Sequence, residues 1–248
     1  MTAMNNDELR CTPFVIVDVE TTGLCPGRHR IIELGAVRLQ KDEQTACFQR
    51  LLPSVEKVPP FITRFTGITT DMLTNQPSTQ QTYESLLAFL GDDDVIVAHN
   101  LPFDRKFIHA ELARHRLNNR VDPPRFSDER QRVVCTLRLA RRLLPWLPSK
   151  KLCHVVEAFK IPIKNSHRAL GDAQMTTEVL RRFIDMLHEQ YDIHTLDGLL
   201  EFQYLSGKQV QSLALRCGTS STMLDHAKMR SLNNLKRLPT IKHREKAI

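Results

Sequence analysis

The chain's 248 residues, 41% of them hydrophobic, are enough for one large α/β domain, or for a domain of about 180 to 190 residues with a tail. The formal charge of +7 misleads as a pointer to nucleic acid. From His226 onward Lys228, Arg230, Lys236, Arg237, Lys242, Arg244 and Lys246 face Glu245 alone, so most of the excess lies in the tail and the rest offers only local basic patches. Six widely and irregularly spaced cysteines with no C-x-x-C pair argue against a zinc site and a disulfide framework. No apolar stretch approaches the ~18 residues of a membrane helix, and Met1 to Glu8 has no leader pattern, so a soluble, cytoplasmic protein is expected.

Phe14 to Val19 is β-branched and almost continuously apolar, as in a strand covered on both faces. The two-residue strand period points Asp18 and Glu20 the same way, so the pair can share one metal. Thr21 to Gly27 predicts a turn, and strands are expected at Ile31 to Leu39 and Ala46 to Leu52, completing a three-strand meander. Gln49 to Asn75 is irregular, with short helical possibilities around Phe61 to Phe65. Tyr83 to Leu90 has helical spacing, and Val95 to Ala98 predicts a short buried strand. In Asn100-Leu-Pro-Phe-Asp104, Pro102 suits a first helical turn that Asn100 could cap, placing Asp104 where the helix dipole favours an ionised carboxylate.

That helix should run to about Leu117, before a polar loop over Asn118 to Arg132. Val133 to Cys135 is a short strand, with helices expected over Leu137 to Leu144, stopped by Pro145 and Pro148, and over Lys151 to Phe159. Ser166 is the expected N-cap of a long helix from about Arg168 to Glu189. Five steps of 100° would separate His167 from Asp172 if both were helical, so His167 belongs to the entering loop, within reach of the site Asp172 faces. Beyond Tyr191 the pattern weakens, and Pro239 to Ile248 should be flexible. The expected division is a catalytic domain over 10–190 and a C-terminal extension over 191–248 that ends in a basic tail.

Asp18, Glu20, Asp104 and Asp172 each lie at the edge of an apolar segment, where an isolated carboxylate is costly to desolvate unless cations or hydrogen bonds compensate it. Four such carboxylates brought together call for divalent metal, and a nearby histidine suggests activated water with His167 taking its proton. Glu33, Glu111, Asp128, Glu157 and Asp185 are expected to be solvated.

The ordered set Asp18-x-Glu20-Thr-Thr-Gly23, His99-Asn-x-x-x-Asp104 and His167-x-x-x-x-Asp172 resembles the DEDD exonucleases, in the subgroup whose fifth residue is a histidine. Phe65-Thr-Gly-Ile-Thr-Thr-Asp71 is similar to the segment that packs against the terminal nucleotide. The chain is similar to the proofreading (epsilon) subunit of bacterial replicative DNA polymerase and to the exonuclease domains built into some polymerases. The resemblance implies a ribonuclease-H-like α/β fold, a mixed sheet flanked by helices, and 3′-to-5′ release of nucleoside 5′-monophosphates from single-stranded or frayed DNA ends.

It further implies two Mg²⁺ ions ~3.5 to 4 Å apart, with Mn²⁺ as a substitute. Asp18 would bridge them, Glu20 and Asp172 would hold the one that activates water, Asp104 would anchor the second, and His167 would be the general base. Backbone groups of Thr21, Thr22 and Gly23 would hold the terminal 3′-hydroxyl, Leu24 would wedge beside the last base, Ile68 would cover it, and Thr66, His99 and Asn100 would line the substrate. His99 as a strand-end histidine, Asn100 as a cap and the Thr66 to Thr69 segment as a mere turn stay open. A DNA polymerase catalytic subunit is the expected partner. An RNA-trimming exonuclease of the same fold, an aspartyl-phosphate phosphatase built on Asp18 to Thr22, and a non-catalytic scaffold are the alternatives.

Overall fold

The computed structural model describes residues 7–54, 56–115, 133–162 and 167–218. β1 (Phe14–Thr21), β2 (Ile31–Gln40) and β3 (Glu43–Leu51) form the antiparallel meander, and β4 (Val95–Ala98) and β5 (Val133–Cys135) continue the sheet in parallel, in the order β3-β2-β1-β4-β5. β3 begins earlier than its apolar pattern suggests. It is an edge strand, and Glu43 to Thr45 are exposed, so they carry no burial signal.

Alternation along β1 sorts its side chains between two layers. Phe14 and Ile16 enter a cluster with Val37, Leu39 and Val97 and with Val179, Leu180, Phe183, Ile184 and Leu187 of α7 (Ala169–Tyr191). Val15, Val17 and Val19 enter the opposite cluster, with Leu34 and Ala36 and with Phe107, Ile108 and Leu112 of α4 (Leu101–Arg114). Each buried apolar side chain of this size contributes roughly 1.5 to 3 kcal/mol, so packing rather than helix propensity holds α7 on the sheet.

The remaining helices are α1 (Glu8–Cys11), α2 (Pro60–Thr66), α3 (Thr79–Phe89), α5 (Thr136–Leu143) and α6 (Leu152–Ala158), followed by α8 (Leu196–Phe202) and α9 (Gly207–Arg216). α3 starts four residues before the expected Tyr83, because Ser78 and Gln81 form a reciprocal capping box. α7 is capped at Arg168; Ser166, the Asn118 to Arg132 loop and the basic tail lie outside the described residues. No helix of the described residues is long and apolar enough to cross a membrane.

Beyond Tyr191 the weak pattern hides two short helices. Leu196, Leu199 and Phe202 of α8 and Val210 and Ala214 of α9 are buried in the α7-side cluster. Gln203 is 1% exposed, and its side chain accepts from Cys135 N (3.0 Å) and donates to Val133 O (2.9 Å). One amide thereby gives the outer edge of β5 the pairing that a sixth strand would provide.

Candidate active site

The site forms at the C-terminal end of β1, where the parallel ladder to β4 has already ended at Ile16 and Val97. Asp18 and Glu20 project from β1 on the α7 side, and a register shift against β2 falls between Glu20 and Thr21. The first turns of α4 and α7 both converge there. Asp104 and Asp172 are each the fourth residue of their helix, where the helix end favours negative charge.

Asp18, Glu20 and Asp172 bring carboxylate oxygens within 4.8 Å of one another. Asp104 arrives from the opposite layer, buried, and accepts hydrogen bonds from its own N–H and from that of Val19, a donor the ended ladder leaves available. Burial lifts every member of the group. Asp18 stands well above the ordinary carboxylate range, through burial and then the charges of Asp104, Asp172 and Glu20. Glu20 is pushed up to about 8 by burial, Asp172 and Glu33, against the opposing Arg168. Burial takes Asp104 to about 8 and Asp172 to about 6, the latter opposed by the His167 N–H. Hard oxygen donors carrying this much uncompensated charge fit hard divalent cations.

A stability prediction follows from the direction of these shifts. The folded chain retains protons that the unfolded chain has released. Stability is therefore fully present below the ordinary carboxylate pKa of about 4 and is lost as pH rises through the folded values. Thermal denaturation in chelator should give a lower Tm at pH 8.5 than at pH 5, and millimolar Mg²⁺ or Mn²⁺ should raise Tm much more at pH 8.5. A Tm independent of both would refute the metal cluster.

His167 lies in the entering loop, as expected, with its backbone in the left-handed region at φ +63°. Its N–H donates to Asp172 Oδ1 at 3.2 Å, and its ring lies against Phe65, centroid to centroid 3.7 Å. Asp18, Asp172, His99 and Asn100 line one open cavity of about 530 Å³, which Arg141, Lys150 and Lys151 also line. Asn100 also lines a neighbouring cavity of about 290 Å³ with Leu24, Phe103 and Lys106. It occupies the cap position of α4 in a left-handed conformation, but its side chain makes no capping hydrogen bond. Leu24 is 65% exposed.

His99 is engaged by the fold at both nitrogens, Nδ1 with Thr136 Oγ1 (3.0 Å) and Nε2 with Lys150 O (2.9 Å). Burial lowers it to about 4, so it is neutral near pH 7. The Thr21 hydroxyl donates to Gly23 O, and the Thr22 hydroxyl accepts from Arg30 N, so both serve the turn that presents Leu24.

Four expectations need correction. Ile68 has no exposed surface and packs with Ile32, Val58, Ile62 and Leu73, so it cannot cover a base here. The Thr66 hydroxyl donates to Ile62 O and accepts from Ile68 N, which leaves it inside the turn. Phe61 and Phe65 are the exposed apolar residues of this segment. Glu33 and Glu111 are not solvated but 0% and 1% exposed. Glu111 grips Arg30 through two hydrogen bonds (2.7 and 2.8 Å) and Arg114 through a third, bracing the loop after β1 from α4. A charge inside the apolar run Ile31 to Val37 was the available signal for Glu33.

A second trio, Asp7, His188 and His194, also brings ligand atoms within 4.8 Å. Arg10 already holds Asp7 (3.0 Å), along with Asp42 and Asp185, so a cationic side chain serves that group and fastens α1 to α7.

Residues 15–180 match the family model RNase_T, described as Exonuclease. The chain belongs to the exonuclease family. Among curated relatives of this exonuclease, the DNA polymerase III subunit epsilon of Aquifex aeolicus is 32% identical over 187 residues, covering 75% of this chain and 88% of the relative. The PolC-type DNA polymerase III of Clostridium perfringens is 35% identical over 202 residues, 82% of this chain but only 13% of that protein. Among solved structures, the nuclease domain of 3'hExo, a DEDDh family member bound to rAMP, aligns with a TM-score of 0.59 at 20% identity, over 73% of this chain and 94% of that one. E. coli Exonuclease I in complex with a dT13 oligonucleotide gives 0.59 at 21%, over 73% and 44%. These likenesses establish the ribonuclease-H-like fold that the family resemblance implied.

Proposed function

We propose that this exonuclease is metal-dependent, removes nucleoside 5′-monophosphates from single-stranded or frayed DNA 3′ ends, and proofreads for a replicative DNA polymerase. The observation that carries the reading is the convergence of Asp18, Glu20 and Asp172, electrostatically coupled to Asp104, beside a cavity that Asp18 and Asp172 line together with the basic residues Arg141, Lys150 and Lys151. Asp18, Glu20, Asp104 and Asp172 would hold the divalent ions. Bound Mg²⁺ supplies water activation and neutralises charge at phosphorus and on the departing 3′-oxygen.

The chain's own groups do the rest. His167 accepts the proton from the attacking water. Leu24 wedges beside the terminal base, while the backbone of Thr21 to Gly23 and the side chain of Asn100 orient the terminal nucleotide. Arg141 and Lys151, which make no ion pair among the described residues, meet the strand's phosphates, a contact that ignores sequence. The epsilon and PolC-type names of the relatives support DNA as substrate and a polymerase catalytic subunit as partner. Within the proposed division at 190/191, Gln203 of the C-terminal extension pairs with the outer edge of β5, and α8 and α9 add apolar side chains to the core on the α7 side.

A 5′-labelled single-stranded DNA should shorten from its 3′ end in Mg²⁺ and not in chelator, and His167→Ala should slow this by ~10² to 10⁴-fold. Much faster trimming of a matched RNA would transfer the reading to RNA maturation, and equal activity of His167→Ala would remove the base assignment.

A further inference from the structure

We propose that Glu33 and Arg168 form a positioning pair that sets the His167 backbone and thereby its imidazole, an inference that rests on the exonuclease reading above. Glu33 stands directly opposite Glu20 in the β1–β2 ladder, on the face where α7 begins. Its carboxylate has no exposed surface and is saturated. Arg168 donates from Nε (3.1 and 3.2 Å) and Nη2 (2.6 Å), Ala169 from its backbone N–H (2.9 Å), and Gln49 from Nε2 (2.8 Å). With four donor groups on two oxygens, Glu33 has little capacity left for a cation, which separates its role from that of the nearby acids.

The pair acts on a stretch of backbone that stands in the left-handed region. A non-glycine residue at φ +63° persists only where its surroundings hold it there. His167 is gripped from three sides: its N–H by Asp172, its ring by Phe65, and the residue after it by Glu33. Glu33 also takes the N–H of Ala169, one of the donors that open a helix unpaired, so the start of α7 is capped from β2 rather than by the side chain of its own N-cap residue, Arg168. Arginine suits the task because its planar fork fixes direction as well as charge, whereas lysine contributes a point charge on a flexible stem.

Arg168→Lys is the informative change, since it keeps the charge near Glu20 and removes only the fork. Steady-state hydrolysis of a single-stranded DNA oligonucleotide should show kcat reduced ~10- to 100-fold, the usual cost of losing an orienting partner, with KM nearly constant because Arg168 does not touch substrate. The same change made in His167→Ala should cost little, because the group being positioned is gone. An equal loss in both backgrounds would overturn the proposal, as would a lower Tm with kcat intact, the mark of a purely structural tie. Glu33→Gln, measured the same way, should follow Arg168→Lys; a loss confined to KM would also overturn it. An inactive wild-type chain would overturn the exonuclease reading and the pair together.

Discussion

Asp18→Asn is expected to abolish nucleotide release while making the metal-free protein harder to melt at pH 8. The two effects share one cause. Asp18 is the carboxylate that the other three press upon, lifted by burial first and then by Asp104, Asp172 and Glu20. A neutral isostere removes that repulsion from the folded state, and with it a carboxylate of the proposed metal site. The loss of rate should exceed the ~10- to 100-fold typical when only an outer partner of a metal ligand is removed. Single-turnover digestion of a labelled oligonucleotide and a melting curve in chelator measure the two arms. Activity near wild type, or a lower Tm in chelator, would show that the acids are not a mutually repelling metal cluster.

Gly35→Ala is expected to be among the most damaging single-methyl additions in the chain. Gly35 pairs with Asp18 across the ladder, and a Cβ there would lie 2.3 Å from Ala169 C and Leu170 N. Both are backbone atoms, so no side-chain rotation relieves the clash, and the start of α7 must move. Overpacking of this kind costs about 1 to 3 kcal/mol or more. Because Asp172 rides on the displaced turn, the rate should fall as well. Gly67→Ala is the natural comparison: a Cβ there meets nothing within 4 Å, and only the left-handed φ of +74° resists it, at about 1 to 2 kcal/mol. Urea melts that rank the two the other way would refute the crowding at Gly35.

The gathering of Asp18, Glu20, Asp104 and Asp172 was legible because strand parity and helix-start chemistry are local. A carboxylate every second residue at the end of an apolar strand, or just after a proline in a first helical turn, announces its direction from neighbours alone. Glu33 obeys the same parity yet was read as solvated, since its meaning depends on register with Glu20 and on a residue 135 positions away. Thr66 and Ile68 failed for the converse reason. Resemblance placed them at the substrate, but the short α2 and its glycine cap turn them into the interior and leave Phe65 outside. α1 escaped notice because four residues carry no periodicity, and its single buried side chain, Leu9, earns its place only through contacts distant in sequence.

The amide of Gln203 has a bearing on how the sheet's outer edge is shielded from other molecules. With α8 removed, Cys135 N–H and Val133 C=O would stand bare along the last strand, beside apolar side chains that α8 and α9 now cover. An unpaired margin of that kind recruits strands from other molecules. A polypeptide cut at Tyr191 would therefore trade intramolecular closure for intermolecular association, and its solubility would fall with rising concentration even if every acid of the active centre were intact.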